Sequence, residues 1–290
     1  LVFFNLVVLV CVGQVTGPDP VSGIRSMRHV IIYKDTAFHS AFPSVIKVSK
    51  RQFIVAFRRA PNRKIFGERT NSHVDPNSYL VQVTSRDGSK WDKDPKLLYA
   101  HPFGGSQDPC LLQLRDGTIL CASYGWAQIR PEGIAKVRKP VSVNGQNFVF
   151  LGGYILRSTD RGKTWHGPAY PPHVPMERNL NALGQPLSAY NRGALTEGKD
   201  GRIFWVVAAT DSSGLGKTST HLLISADKGN TWRYSCAVAT DTSASFNETS
   251  IYETPKGDLV AFLRTANFED QAVIARSTDG GKCFQPWQGM

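Results

Sequence analysis

The chain has 290 residues, of which 41% are hydrophobic and 20% charged, with a formal net charge of +11. That length and apolar content suit a packed globular domain and exclude a disordered chain. The excess of basic residues favours an anionic partner, but the lysines and arginines are scattered rather than gathered in a run, so nucleic acid is not the expected one.

Leu1 to Val12 is the one strongly apolar run. It is too short to span a bilayer, and Gly13, Gly17 and Pro18 follow it, as they follow the apolar stretch of a signal peptide. Residues 1–20 are therefore expected to be a signal peptide, truncated at its start because the sequence opens on Leu1. The mature protein is then expected to be secreted or periplasmic, with no membrane insertion once that segment is removed, and a monomer. The folded domain is expected over residues 24–290. Arg28 to Lys34 reads as a strand without a nearby hairpin partner.

From Phe42 onward one unit recurs: strand A, a turn, strand B, a variable loop, strand C, a short box and strand D. The A strands open Phe42-Pro43-Ser44, Asp108-Pro109-Cys110, Arg192-Gly193-Ala194 and Glu248-Thr249-Ser250. The turns are Lys50-Arg51, Asp116-Gly117, Asp200-Gly201 and Lys256-Gly257, and the B strands end eight residues after each first turn residue, at Arg58, Tyr124, Ala208 and Arg264. Strand-like runs then lead into the boxes, as Tyr154-Ile155-Leu156-Arg157 does.

The boxes are Ser158-Thr159-Asp160-Arg161-Gly162-Lys163-Thr164-Trp165, Ser225 to Trp232, Ser277 to Phe284 and, one residue shorter, Ser85 to Trp91. Asp can accept backbone N–H groups within such a turn, Gly can take positive φ, and the closing aromatic can pack beneath. These aspartates therefore read as structural. If strand A runs down, strand B returns upward, and the C–D turn with its box falls at the bottom. The A-strand starts and B-strand ends then share the opposite face, which brings together Asp108, Arg192 and Glu248, with Arg58 and Arg264 just outside. Carboxylates and guanidinium groups converging there suit an anionic sugar, since Arg grips a carboxylate through a planar fork.

Two stretches decorate that face, 125–149 and 166–191, and neither shows strand or helix periodicity. Trp126 and Tyr170 are candidates for stacking on a sugar ring, or for packing on their own blade. Four cysteines remain beyond the leader (Cys110, Cys121, Cys236 and Cys283), without metal-ligand spacing, and no cofactor or metal is expected. Cys110 and Cys121 fall on neighbouring strands, where either a disulfide or two buried thiols would fit.

The box is the Asp box, and over residues 24–290 the chain resembles the sialidase-like (BNR-repeat) family. The resemblance implies an all-β fold, a six-bladed β-propeller of the sialidase type, with about four blades present because the chain stops six residues beyond the last box. It also implies an exo-glycosidase acting on sialylated or other acidic glycans. Such enzymes use an arginine triad, an Asp acid/base and a Tyr nucleophile activated by a Glu. Glu248 with Arg264 looks like the Glu and second Arg, and Asp75 looks like the acid/base. Arg58 or Arg59 is similar to a basic residue that contacts substrate, and Asp108 to an acid lining the pocket. The family's opening Arg-Ile-Pro is Ala41-Phe42-Pro43 here, so the first arginine is absent unless Arg192 or His39 replaces it. The third arginine and the Tyr are expected beyond Met290. A non-catalytic propeller that binds glycans or proteins is the alternative. A polysaccharide lyase, with His39 or His73 beside Arg58, is a third reading.

Overall fold

The structure, a computed structural model, describes residues 29–137, 141–143, 145–175, 177–181, 184–210, 217–266, 268–269 and 271–290. Ile32–Met290 packs as one compact unit. The expected signal segment lies outside the described residues.

Four antiparallel sheets follow one another in sequence. Blade one is β1 (Phe38–Ser49), β2 (Gln52–Pro61), β3 (Tyr79–Ser85) and β4 (Lys96–Tyr99). In blade two the inner edge is split into β5 (Gly105–Ser106) and β6 (Cys110–Gln113), both on β7 (Ile119–Ile129). Its outer strands are β8 (Val141–Val143), which pairs with β9 (Gln146–Ser158), and then β10 (His166–Ala169). Blade three is β11 (Thr196–Glu197), β12 (Ile203–Thr210), β13 (Thr218–Ser225) and β14 (Arg233–Ala239). Blade four is β15 (Ser245–Glu253), β16 (Leu259–Ala266), β17 (Ala272–Ser277) and β18 (Gln288–Gly289). Short 3₁₀ turns at Arg63–Phe66 and Pro131–Lys136 are the helical segments among the described residues. This is the β-propeller architecture, four blades of it.

The middle strands are buried on both faces because blades stack face to face, as the unbroken apolar run Ile203–Ala209 shows. The core is accordingly a set of layers between blades. Ile54, Ala56 and Leu80 of blade one meet Ile119, Cys121 and Leu156 of blade two. Leu120 and Ala122 meet Trp205 and Val207 of blade three, and Phe204 and Leu222 meet Phe246 and Leu259 of blade four. Each fully buried Leu, Ile, Val or Phe among them contributes about 1.5–3 kcal/mol.

Each of the last three Asp boxes is fastened to the blade before its own. In the second box, the Asp160 carboxylate accepts the Lys163 and Thr164 N–H groups and the Thr164 hydroxyl. The turn then docks on blade one, where Gln82 donates to the Gly162 carbonyl at 2.6 Å and accepts from the Trp165 indole at 3.0 Å. Gly162 has φ +79°, and a Cβ there would meet Ile54 at 2.6 Å. The third box reaches blade two through Arg157 to the Lys228 carbonyl and through the Lys228–Asp116 ion pair. The fourth reaches blade three, where Arg202 and Ser235 donate to the carbonyls of Gly280 and Gly281. In that box the Cys283 thiol takes the Asp279 contact that Thr164 and Thr231 make elsewhere.

The inner strands are stitched too. Leu111 N–H donates to Ser44 Oγ, the Cys110 thiol donates to the Gly193 carbonyl, and Ala194 N–H donates to Ser250 Oγ. Gly193 runs so close to blade four that a Cβ would stand 1.8 Å from the Thr249 carbonyl oxygen. The described cysteines are free, and the Cys110 and Cys121 thiols are buried or nearly so rather than bridged.

Three expectations are corrected. Residues 29–34 form no strand; Ile32 and Tyr33 instead pack on β2 and β3, with Tyr33 5.1 Å from the Phe57 ring. The stretch 125–149 is largely regular, since β7 continues to Ile129 and β9 opens at Gln146. Packing of Trp126 against Phe150, 4.7 Å apart, holds that extension although it shows no sequence period. In blade three the regular part of strand A shrinks to Thr196–Glu197, because Arg192 and Gly193 are drawn toward blade four.

The Ser158 hydroxyl is buried and accepts the Gly162 N–H at 2.8 Å. Ser158→Ala leaves that N–H without an acceptor and should cost about 1–3 kcal/mol. Urea unfolding checks this as a lower midpoint at unchanged slope; an unchanged midpoint would show that the box does not need its hydroxyl.

Candidate active site

The register pairs the start of each A strand with the end of B: Ala41 with Arg58, Gln107 N–H with the Tyr124 carbonyl, Tyr190 with Ala208, and Phe246 with Thr265. These ends lie away from the Asp boxes. Here Arg192 of blade three stands between two carboxylates from its neighbours. Its Nη1 donates to Asp108 Oδ2 at 2.9 Å, and its Nη2 donates to Glu248 Oε1. Asp108 is 1% exposed and also accepts the Tyr124 hydroxyl at 2.8 Å. The Glu248 side chain is 32% exposed, and Arg264 Nη1 approaches the same Oε1 at 3.4 Å.

Burial works against the Arg192 charge, but the hydrogen bond it donates to Glu248 and the charge of Asp108 outweigh it and hold the guanidinium above its ordinary value. Burial, then Asp108, push the Tyr124 phenol well above the usual tyrosine range, so it stays a donor. Arg58 is 1% exposed and donates to two neutral acceptors, Gln107 Oε1 at 2.8 Å and the His73 carbonyl. Burial lowers its pKa, while Asp108, Tyr124 and Asp75 compensate from a distance.

Asp75 is placed differently from Asp108 and Glu248. It is 1% exposed, and Arg63 grips it with Nε to Oδ2 at 2.7 Å and Nη2 to Oδ1 at 3.0 Å, while Asn77 N–H also donates to Oδ1. Arg59 does not join the cluster. Successive strand residues face opposite sides, so with Arg58 turned inward Arg59 goes to Asp35 at 2.6 Å, Tyr79 and the Phe38 ring. His39, on β1 opposite Ala60, is held below its usual pKa by burial and then by Arg58, so it supplies no ready charge for a carboxylate.

Arg63, Gln107 and Tyr124 were not anticipated in these roles. Arg63 sits in a 3₁₀ turn with no periodic signal. Gln107 belongs to a pattern that recurs with the repeat: an amide precedes each charged rim residue, as Gln107, Asn191 and Asn247. The last two accept the next residue's N–H at 2.7 Å and so orient the rim backbone.

Arg192 and Glu248 form a wall between two cavities. One of about 310 Å³ is lined by Tyr124, Trp126, Phe150 and Tyr190, with Asn191 and Asn247 among its polar groups. The other, about 450 Å³, lies along the inner strands and includes Cys110, Ser250 and Arg264. Trp126 thus both packs on its blade and faces the first cavity, whereas Tyr170 is 59% exposed and lines neither. Aromatic walls with a few placed amides and a fixed ion pair are the make-up of a small-molecule pocket. Among the described residues no cluster is placed to hold a metal ion.

The fold is that of a sialidase-like propeller. The BNR repeat-like domain family matches residues 139–289, just over half of the 290 residues, and the chain belongs to that family. A solved protein of unknown function from Dyadobacter fermentans is 61% identical, with TM-score 0.89 over 93% of this chain and 74% of its own. The Hadza microbial sialidase Hz136 is 17% identical, with TM-score 0.59 over 88% of this chain and 46% of its own. The NanB sialidase of Streptococcus pneumoniae is 13% identical, with TM-score 0.61 over 90% and 53%. At those identities the two sialidases show the fold alone, and this chain spans about half of each. No curated protein matches the sequence.

Arg192→Ala would strand the buried Asp108 carboxylate and should destabilise the fold by about 3–5 kcal/mol, measured by chemical denaturation. A loss no larger than that of an exposed ion pair would show that water already reaches Asp108. A second expectation concerns pH. Burial pushes His39, His73 and His101 below the ordinary histidine value. The unfolded chain takes up these protons near pH ~6.5 while the folded chain does not. Their contribution is therefore complete above that pH and is lost as pH falls toward the lowered folded values. Melting temperature should drop between pH 7.5 and pH 5 (an interval of roughly two and a half units around the free value), and a flat profile there would refute it.

Proposed function

We propose that this protein is a secreted exo-glycosidase of the sialidase type, acting on a terminal sialic acid or another acidic sugar. The observation that carries the reading is the Asp108–Arg192–Glu248 chain across blades two to four, set against an aromatic cavity of about 310 Å³. Arg264, 48% exposed, stands at the rim where a ligand carboxylate can approach it. Secretion rests on the apolar run Leu1–Val12.

In this reading the partly exposed Glu248 carboxylate, held as an acceptor by Arg192 and Arg264, activates the nucleophile. The resemblance assigns proton transfer to Asp75. Both Asp75 oxygens are already acceptors, so Asp75 must shed Arg63 before it can deliver a proton. The Tyr124–Asp108 pair has the composition of a phenol with an activating carboxylate, but its raised phenol makes it a prop for Asp108 and not a nucleophile. The ion pairing of Asp75 and Asp108 favours the second reading, a propeller that binds glycans without cleaving them.

The test is to assay the full-length protein on sialylated and uronic-acid-bearing glycosides beside Glu248→Gln and Asp75→Ala. Hydrolysis of at least one substrate is expected, with rate losses of about 10²–10⁴ in both variants, as for removal of an acid–base group. A parent that binds such glycans but cleaves none of them establishes the second reading instead. Full activity in Asp75→Ala would remove Asp75 from the mechanism.

A further inference from the structure

Four A strands open at equivalent positions, and three of those positions carry the charges of the site. The fourth is Phe42, followed by Pro43 as Asp108 is followed by Pro109. Its ring is wedged among the groups a carboxylate ligand would seek. The Arg192 guanidinium carbon lies 4.7 Å from the ring centroid and that of Arg58 lies 5.0 Å away. The His73 imidazole meets it edge-on at 5.1 Å. Phe42 also has φ +56° at the irregularity between Ala41 and Ser44, a conformation in which a bulky side chain is an outlier. Such strain persists only where the surroundings over-determine it. Here two cations and an imidazole hold the ring in place.

We propose that Phe42 sets the charge selectivity of this site by filling the place a carboxylate would need in order to reach Arg58 and Arg192 together. The ring covers one guanidinium that has neutral partners, Arg58, and one already shared by two carboxylates, Arg192. A sugar therefore meets an uncharged surface at this point and presents any carboxylate toward Arg264. The site is a weak clamp for free acids and tolerates neutral sugars of the same shape. This deepens the glycan reading and rests on it for the nature of the ligand, but the plug itself is a statement about anions.

Phe42→Gly and Phe42→Asn both accept positive φ and remove the ring, whereas Phe42→Tyr keeps it. N-acetylneuraminic acid and its uncharged methyl ester would be titrated against each folded variant, with acetate as a minimal carboxylate. The acid-over-ester preference should rise by roughly tenfold or more in the Gly and Asn variants, the worth of one charge-assisted hydrogen bond, and stay at the parent value in Tyr. Acetate should bind saturably to the opened variants and not to the parent, followed by shifts of arginine side-chain N–H resonances. If neither sugar binds any variant while acetate binds the opened ones, the glycan reading fails and the plug stands. If the opened variants gain nothing for acetate or for the acid over its ester, the proposal is overturned.

Discussion

The structure depends on fastening each blade to the one before it. The Asp box does this at one end, and the inner strands do it at the other. Asp160 closes its turn on itself, and the closed turn then presents Gly162 and Trp165 to Gln82 of the preceding blade. Because the apolar layers lie between blades, no sheet has a complete core alone. Residues from three different blades can then meet at the rim with fixed spacing, although they are far apart in sequence.

Rim chemistry is dominated by compensation. Arg192 neutralises a fully buried carboxylate and a partly exposed one at once, while Arg63 occupies Asp75 and Asp35 occupies Arg59. Taking such charges out of water costs several kcal/mol each unless partners replace the water. Arg58 is the exception in kind: its immediate partners are neutral, and aromatic contact with Phe42 helps to shield its charge. The site is thus more rigid and less openly cationic than a count of its arginines implies.

Much of this was legible in the sequence. The boxes and A–B turns are local, so their residue types alone specify them, and counting strands from turn to turn placed Asp108, Arg192 and Glu248 on one face. What the sequence could not show was which way a pair such as Arg58 and Arg59 divides. Strand alternation requires them to part, but only the neighbouring Asp35 and Gln107 decide which turns inward. Arg63 was hidden for another reason, since irregular backbone carries it and leaves no period to read. The extension of blade two through 125–149 was missed because aromatic packing sustains it, whereas side-chain alternation would have been visible.

The rim position has a consequence for how such a fold diversifies. It is one slot repeated around a scaffold that is also fastened below it, through Ser44, Cys110, Ala194 and Ser250 and through the boxes beneath. At the Phe42 slot a single residue change rewrites the chemistry of the rim and leaves these inter-blade bonds alone, whereas a change at Arg192 also breaks the ion pairs that join three blades. In this chain the slots read Phe, Asp, Arg, Glu, and another lineage could carry a different word on the same frame.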